Sequence, residues 1–93
     1  METIRLKLTI AYNGSGYEGW QWQPVGTGVQ QLVEDALAKL IPGGPFRLHS
    51  SSRTDAGVHA LGMVAHVDLP KLGARMSPRK LRIALNAYLP DDI

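Results

Sequence analysis

The chain opens with apolar and polar residues in alternation, so that one side of the segment carries Ile4, Leu6, Leu8 and Ile10. Alternation with a period of two is typical of a half-buried β-strand. A second such segment covers residues 61–69, where one side carries Met63, Ala65, Val67 and Leu69. Residues 46–50 predict a shorter strand between the two.

Two other segments have apolar residues at helical spacing. Thr27 and Gln30 form a capping-box pattern at the start of the first. Its apolar face carries Val29, Leu32, Val33, Ala36, Leu37, Leu40 and Ile41. The Pro-Gly-Gly-Pro run at 42–45 ends that helix. In the second helix Ser77 is the predicted N-cap, Pro78 occupies the first turn, and Pro90 follows the end. Its apolar face carries Leu81, Ala84, Leu85, Tyr88 and Leu89.

The predicted order is therefore β-α-β-β-α. This order is typical of an α+β fold, a ferredoxin-like half-unit with an antiparallel sheet backed by two helices and without its last strand. The 93 residues, 44% of them hydrophobic, suit one small domain with a modest core. We therefore treat residues 1–93 as a single domain.

The net charge is only +2, but the basic residues are unevenly distributed. Between Leu69 and Pro90 no acidic residue occurs, and the basic ones are Lys71, Arg75, Arg79, Lys80 and Arg82. This run is either a solvated helix face with its loop or a patch for nucleic-acid phosphates. The chain has no cysteine and no long apolar run, so we expect neither a disulfide framework nor a signal peptide or membrane span, and a cytoplasmic protein is the default.

A Gly-x-Gly-x-x-Gly string at residues 14–19 matches half of a dinucleotide-binding fingerprint. The other half is absent, because the glycines do not open a helix. Glu34 and Asp35 lie inside the first predicted helix and do not end a second strand. We expect these glycines to shape a loop instead.

The histidines do not predict a metal site. Asp55 and His59 are four residues apart in a loop, and His66 lies on a strand, whereas zinc needs at least three well-placed protein ligands. We expect no metal, and a His59 that hydrogen-bonds within the loop and holds its shape.

The run Ser-Ser-Arg-Thr-Asp-Ala-Gly-Val-His-Ala at 51–60 is the strongest candidate for chemistry. Arg53 can keep the Asp55 carboxylate ionised and oriented, because the guanidinium fork matches carboxylate geometry. Taken alone, an Arg-x-Asp pair more often marks a salt-bridged turn between two strands.

The whole run resembles the signature of the tRNA pseudouridine synthase A family, in which residues 53–60 match without a gap. Residues 10–23, with the Gly-Trp-Gln triplet, the Val29-Gln30 pair and the final Asn-x-x-Leu-Pro-Asp-Asp-Ile at 86–93 resemble further family segments in the same order. Ser52 departs from the family pattern, which commonly has glycine before the arginine.

The resemblance implies a longer protein with two lobes, of which these residues form the N-terminal catalytic lobe. It implies an isomerase that converts uridine to pseudouridine in the anticodon stem-loop of tRNA, without a cofactor, in a cytoplasmic homodimer. Asp55 would act as nucleophile or base, and Arg53 would orient it. The family's active-site tyrosine would lie in the other lobe, so we expect the 93 residues alone to be inactive.

Candidate RNA contacts follow from the basic run and from the family segments. They are Arg79, Lys80, Arg82, Trp20, Gln21 and His59. Exposed aromatic rings can stack on unpaired bases, although tryptophans at such positions also serve as packing residues. Two alternatives to the enzyme remain open: an RNA-binding module without catalysis, and a purely structural ferredoxin-like domain. The absence of aromatic residues from 61–69 argues against a module of the RNA-recognition-motif type.

Overall fold

The computed structural model describes residues 3–21, 28–50, 54, 57–70 and 77–93. The elements, in chain order, are β1 (Thr3–Tyr12), a 3-10 turn (Gly14–Gly16), α1 (Val29–Leu40), β2 (His49–Ser50), β3 (Ala60–Pro70) and α2 (Pro78–Tyr88). These strands form an antiparallel sheet with the order β1-β3-β2. The predicted β-α-β-β-α order and the α+β half-unit are confirmed.

The register between β1 and β3 explains why the two alternating segments share one buried side. Ile4 lies opposite Leu69 and Ile10 lies opposite Met63, so the apolar positions of both strands face the same way. The register then shifts between Ile10 and Tyr12, at the end of the sheet where β3 begins.

The core lies between this side of the sheet and the helices. It contains Met63, Ala65, Val67 and Leu69 from β3, Val29, Val33, Ala36 and Leu37 from α1, and Leu81 and Leu85 from α2. Leu6 and Leu8 of β1 are only half-buried, and they border a groove of about 500 Å³ between β1 and α2. Burial of these apolar side chains is the main force that holds the helices on the sheet.

The start of α1 differs from the predicted capping box. The N-cap is Gly28, and no side chain of a described residue caps the helix. Instead, the backbone amide of Val29 donates to the carbonyl of Gly19 at 3.1 Å, and the amide of Gln30 donates to that of Trp20 at 2.9 Å. Thr27 lies outside the described residues. The prediction was wrong because a neighbouring loop, rather than a local side chain, satisfies the first helical N–H groups.

The second strand is also shorter than predicted, His49–Ser50 rather than residues 46–50. Phe46 and Leu48 are buried all the same. The amide of Leu48 donates to the Glu34 carboxylate at 2.8 Å, and its carbonyl accepts from the Gln30 side-chain amide at 3.0 Å. Side chains of α1 therefore form the hydrogen bonds to Leu48 that a neighbouring strand would form if the second strand were longer.

The second helix begins as predicted. The Ser77 hydroxyl accepts from the backbone amide of Lys80 at 3.2 Å, and Pro78 occupies the first turn. Tyr88 differs from its predicted place on the apolar face, because its side chain is 53% exposed. The ammonium group of Lys39 lies 6.0 Å from the centre of its ring.

Candidate active site

Two loops meet at the end of the sheet where β1 stops and β3 begins. The first covers residues 13–21, and the second covers residues 54–59, of which 55 and 56 are not described; together we call them the paired loops. The predicted pair Arg53 and Asp55 lies outside the described residues. The site can therefore be built from the residues that flank Asp55 on both sides.

Backbone hydrogen bonds join the paired loops directly. The amide of Trp20 donates to the carbonyl of Thr54 at 3.1 Å, immediately before Asp55 in the chain. Two residues after Asp55, the amide of Gly57 donates to the carbonyl of Tyr17 at 3.1 Å. The chain is thus attached to the first loop on either side of residues 55 and 56.

The predicted loop-shaping role of His59 takes a specific form. Its Nδ1 accepts a hydrogen bond of 2.8 Å from the backbone amide of Gly14, so the contact joins the two loops rather than closing one. An accepting Nδ1 belongs to a neutral imidazole with its proton on Nε2. His59 therefore positions the second loop against the start of the first.

Gly14 lies at the closest approach between the loops. A Cβ atom built on this residue would lie 1.9 Å from the carbonyl oxygen of Val58, which belongs to the backbone. No side chain fits in that space. The Gly-x-Gly-x-x-Gly string therefore serves loop packing, as expected, and no helix follows it until Val29.

A buried aromatic pair supports the paired loops from below. Tyr12 and Trp20 are 5% and 1% exposed, and their ring centres are 6.2 Å apart in a stacked arrangement. The Tyr12 hydroxyl shares a hydrogen bond of 2.5 Å with the hydroxyl of Thr54. Trp20 was a candidate for stacking on RNA bases, but its ring is enclosed by protein, so the packing alternative describes it. Trp22 lies outside the described residues.

The chain that follows α2 also reaches the first loop. The amide of Asn13 donates to the carbonyl of Asp92 at 2.8 Å, and the Tyr17 hydroxyl donates to the Asp92 carboxylate. Partial burial and this hydrogen bond raise the pKa of Tyr17 to about 12. The phenol therefore keeps its proton throughout the neutral range.

An open depression of about 520 Å³ lies beside the paired loops, with His59, Leu61 and Asp92 among its lining residues. The Leu61 side chain is 97% exposed.

The remaining predicted RNA contacts lie in two places. Gln21 is exposed at the end of the first loop. Arg79, Lys80 and Arg82 are exposed on α2, in the helix layer. The structure therefore does not gather the candidates at one spot, although all four of these side chains are accessible from solvent.

Within the described residues, no group of three or more His, Cys, Asp or Glu side chains is placed to hold a metal ion. The helices described there include none long and apolar enough to cross a membrane.

Sequence reasoning missed several residues that position the loops. Tyr12 was placed only within the family segment at residues 10–23, Thr54 only within the signature run, and Asp92 in the segment after the second helix. Their contacts join residues 42 and 75 positions apart in the chain, Tyr12 with Thr54 and Tyr17 with Asp92. No local pattern signals a contact of that kind.

Comparison with known families agrees with this arrangement. The family profile described as tRNA pseudouridine synthase matches residues 8–93, which include both loops and both helices.

Curated relatives match nearly the whole chain. The tRNA pseudouridine synthase A of Geotalea uraniireducens is 53% identical over 96% of this chain, and the protein of the same name from Oleidesulfovibrio alaskensis is 51% identical over 96%. That of Streptococcus thermophilus is 44% identical over 97%. The chain spans only 35%, 34% and 35% of these relatives, respectively. With the family profile covering most of its length, the chain belongs to the tRNA pseudouridine synthase family.

Proposed function

We propose that the complete protein containing these residues is an isomerase that converts uridine to pseudouridine in the anticodon stem-loop of tRNA. The family match over residues 8–93 is the observation that carries the proposal. Residues 1–93 form its N-terminal catalytic lobe, and the cleft is completed by a second lobe. The protein acts in the cytoplasm as a homodimer.

The reaction breaks the bond between ribose C1′ and uracil N1, turns the base, and joins C1′ to C5. The C5 hydrogen leaves as a proton, and N1 gains one, so the atoms and electrons balance without an oxidant or a cofactor. What the reaction requires is an ionised carboxylate beside the target nucleotide. Asp55 supplies it, either by covalent attack on the sugar or base or by removing a ribose proton to form a glycal.

The paired loops support this role for Asp55. Hydrogen bonds fix Thr54 and Gly57, on either side of it, to the first loop. Positioning of a catalytic group accounts for much of the rate enhancement of enzymes, and these bonds attach the chain to the first loop before residue 55 and after residue 56. Arg53 orients the carboxylate and keeps it ionised.

The target uridine must leave its stack to reach Asp55, which costs roughly a few kcal/mol. Contacts to the RNA offset this cost. Arg79, Lys80 and Arg82 attract phosphates, while Gln21 and His59 contact the RNA near the loops. Attraction to phosphates weakens strongly as salt concentration rises.

Tritium release tests the proposal directly. Transfer RNA labelled with tritium at uridine C5 loses the label to water when C5 joins C1′. We expect the complete protein to release tritium, and the Asp55→Asn variant to release it at least about a hundredfold more slowly with tRNA binding nearly unchanged, because the amide keeps the size of the carboxylate but not its charge.

The control variant is Asp35→Asn, which changes an exposed carboxylate on α1 in the same way. It should keep the wild-type rate. Release by Asp55→Asn above about a hundredth of the wild-type rate would contradict the role of Asp55. Binding of tRNA without release by the wild type would instead favour an RNA-binding module, and neither binding nor release would favour a structural domain.

A further inference from the structure

The side of the sheet away from the core carries a row of basic side chains across all its described strands. Lys7 of β1 lies opposite His66 of β3, and His66 lies opposite His49 of β2. Lys7 and His49 are exposed and His66 is half-buried. We call Lys7, His66 and His49 the cross-strand row.

The two imidazoles of the row stack on each other. Their ring centres are 5.2 Å apart and their planes make an angle of 26°. Protonation of both rings places two like charges at this distance, and that arrangement is unfavourable unless an anion lies nearby. Bound phosphate groups would compensate both charges together with that of Lys7.

The neighbouring charges compensate the row only in part. Arg5, two residues before Lys7, pairs with Asp68 through a contact of 2.9 Å. That hydrogen bond is the main reason why the pKa of Asp68 is lowered, and the charges of His66 and His49 contribute to the same effect. Arg5 and Asp68 largely neutralise each other, so the positive charge of Lys7 and of the protonated imidazoles faces outward.

The shape of the surface suits a polymer rather than a small molecule. Lys7, His49 and His66 border an open depression of about 420 Å³, together with Arg5, Ser50, Val64 and Ala65. Such an open site leaves a nucleotide-sized ligand mostly in solvent, whereas an RNA chain can lay its backbone along it. The only acidic residue that faces the row, Asp68 within the described sheet, is already paired with Arg5.

The cross-strand row is close enough to the paired loops for one RNA stem-loop to contact both. His66 lies six positions after Ala60, the first residue of β3, which corresponds to about 20 Å along the strand. An RNA stem-loop that places a base at the loops can place part of its backbone at the row. Contacts so far from the reacting base serve binding and orientation.

We propose that Lys7, His66 and His49 form a binding site for phosphate groups of the RNA backbone, and that protonation of the two imidazoles strengthens it. The proposal rests on the proposed function insofar as tRNA is the RNA concerned. Phosphate binding favours protonated imidazole, so the contribution of the histidines grows as the pH falls and is lost as the pH rises.

The test measures binding of an unmodified tRNA transcript to the complete protein at pH 5.8 and pH 8.0 over a range of salt concentrations. For the wild type we expect about tenfold tighter binding at pH 5.8, and a salt dependence steeper by about 1.4 to 1.8 logarithmic units per tenfold change in salt, because two more phosphates are neutralised. In His49→Gln/His66→Gln the gain in affinity should fall below about threefold, and the salt slope should no longer change with pH.

Two single variants distinguish an effect of the cross-strand row from an effect of positive charge elsewhere on the surface. Lys7→Gln should lower the salt slope by about one at both pH values. Lys39→Gln, which removes an exposed cation from α1 in the helix layer, should leave the change of slope with pH as it is in the wild type. An unchanged pH effect in the double histidine variant overturns the proposal.

A measurement on the wild type covers the case in which the double variant does not fold. NMR titration of the imidazole resonances should show the pKa of both His49 and His66 rising when tRNA is bound, and no rise in either overturns the proposal.

Failure of the phosphate site and failure of the proposed synthase activity give different results. Tritium release with an unaltered pH effect in the variant refutes the site alone, whereas loss of the pH effect without any tritium release refutes the synthase and leaves an RNA-binding surface.

Discussion

The core and the paired loops are held together in different ways. The core consists of apolar side chains whose positions follow the two periods of the sequence, and within the described residues it contains no polar or charged side chain. The paired loops are joined by hydrogen bonds to backbone groups and by one close approach at Gly14. The difference indicates that changes in the core should mainly alter stability, whereas changes in the loops should alter turnover more than stability.

The largest effect on stability is expected from Leu37→Ala. Leu37 is fully buried between α1 and the sheet, so the substitution leaves a cavity and should lower the free energy of unfolding by about 2–5 kcal/mol. Chemical denaturation of the complete protein measures this change. Turnover per folded molecule should stay close to wild type; a large loss of turnover by the fully folded variant would break the separation between core and loops.

An intermediate effect is expected from Gly14→Ala. The added methyl group would meet the backbone of Val58, so the loops must separate, at a cost of about 1–3 kcal/mol. Because displacement of a catalytic group by about 1 Å can cost a hundredfold in rate, tritium release should fall by about tenfold to a hundredfold.

Gly16→Ala is the matched control for this substitution. It lies in the same 3-10 turn, and a Cβ atom there has no neighbour within 4 Å. Its stability should stay within about 0.5 kcal/mol of the wild type. Equal effects of the two substitutions would show that the turn, rather than the contact with Val58, is responsible.

The smallest effect is expected from Tyr12→Phe, which removes the hydroxyl bonded to Thr54 and keeps the ring that stacks on Trp20. Loss of one such bond should lower the free energy of unfolding by about 0.5–1.5 kcal/mol. Tyr88→Phe, at a side chain that is 53% exposed, serves as the control and should be neutral. If the two variants have equal stability, the hydroxyl of Tyr12 does not brace the loops.

The sequence predicted the parts of the fold that depend on local periodicity. The alternation around Met63 and Val67 identified the buried side of β3, and Ser77 with Pro78 identified the start of α2. It failed where distant groups replace local ones. Gly28 became the N-cap because carbonyls of the first loop accept the helical amides, and Leu48 left the sheet because α1 side chains bind its backbone.

The candidate site was predicted only in part, for the same reason. The signature run located the second loop, and His59 was expected to hold its shape. The hydrogen bond of His59 to Gly14 and the burial of Trp20 depend on how the two loops meet in space. The spacing of residues along the chain does not show how the two loops contact each other.

Because the first loop caps α1, amide exchange at the start of this helix depends on opening of the paired loops. In most helices the first amides have no partner within the helix, so they exchange with solvent deuterium without any opening of the structure. Here the amides of Val29 and Gln30 are bonded to carbonyls of Gly19 and Trp20, and Trp20 in turn is bonded to Thr54 beside Asp55. Exchange at these two amides therefore follows the opening of the loops themselves, which makes the start of α1 a natural probe of how often the region around Asp55 opens.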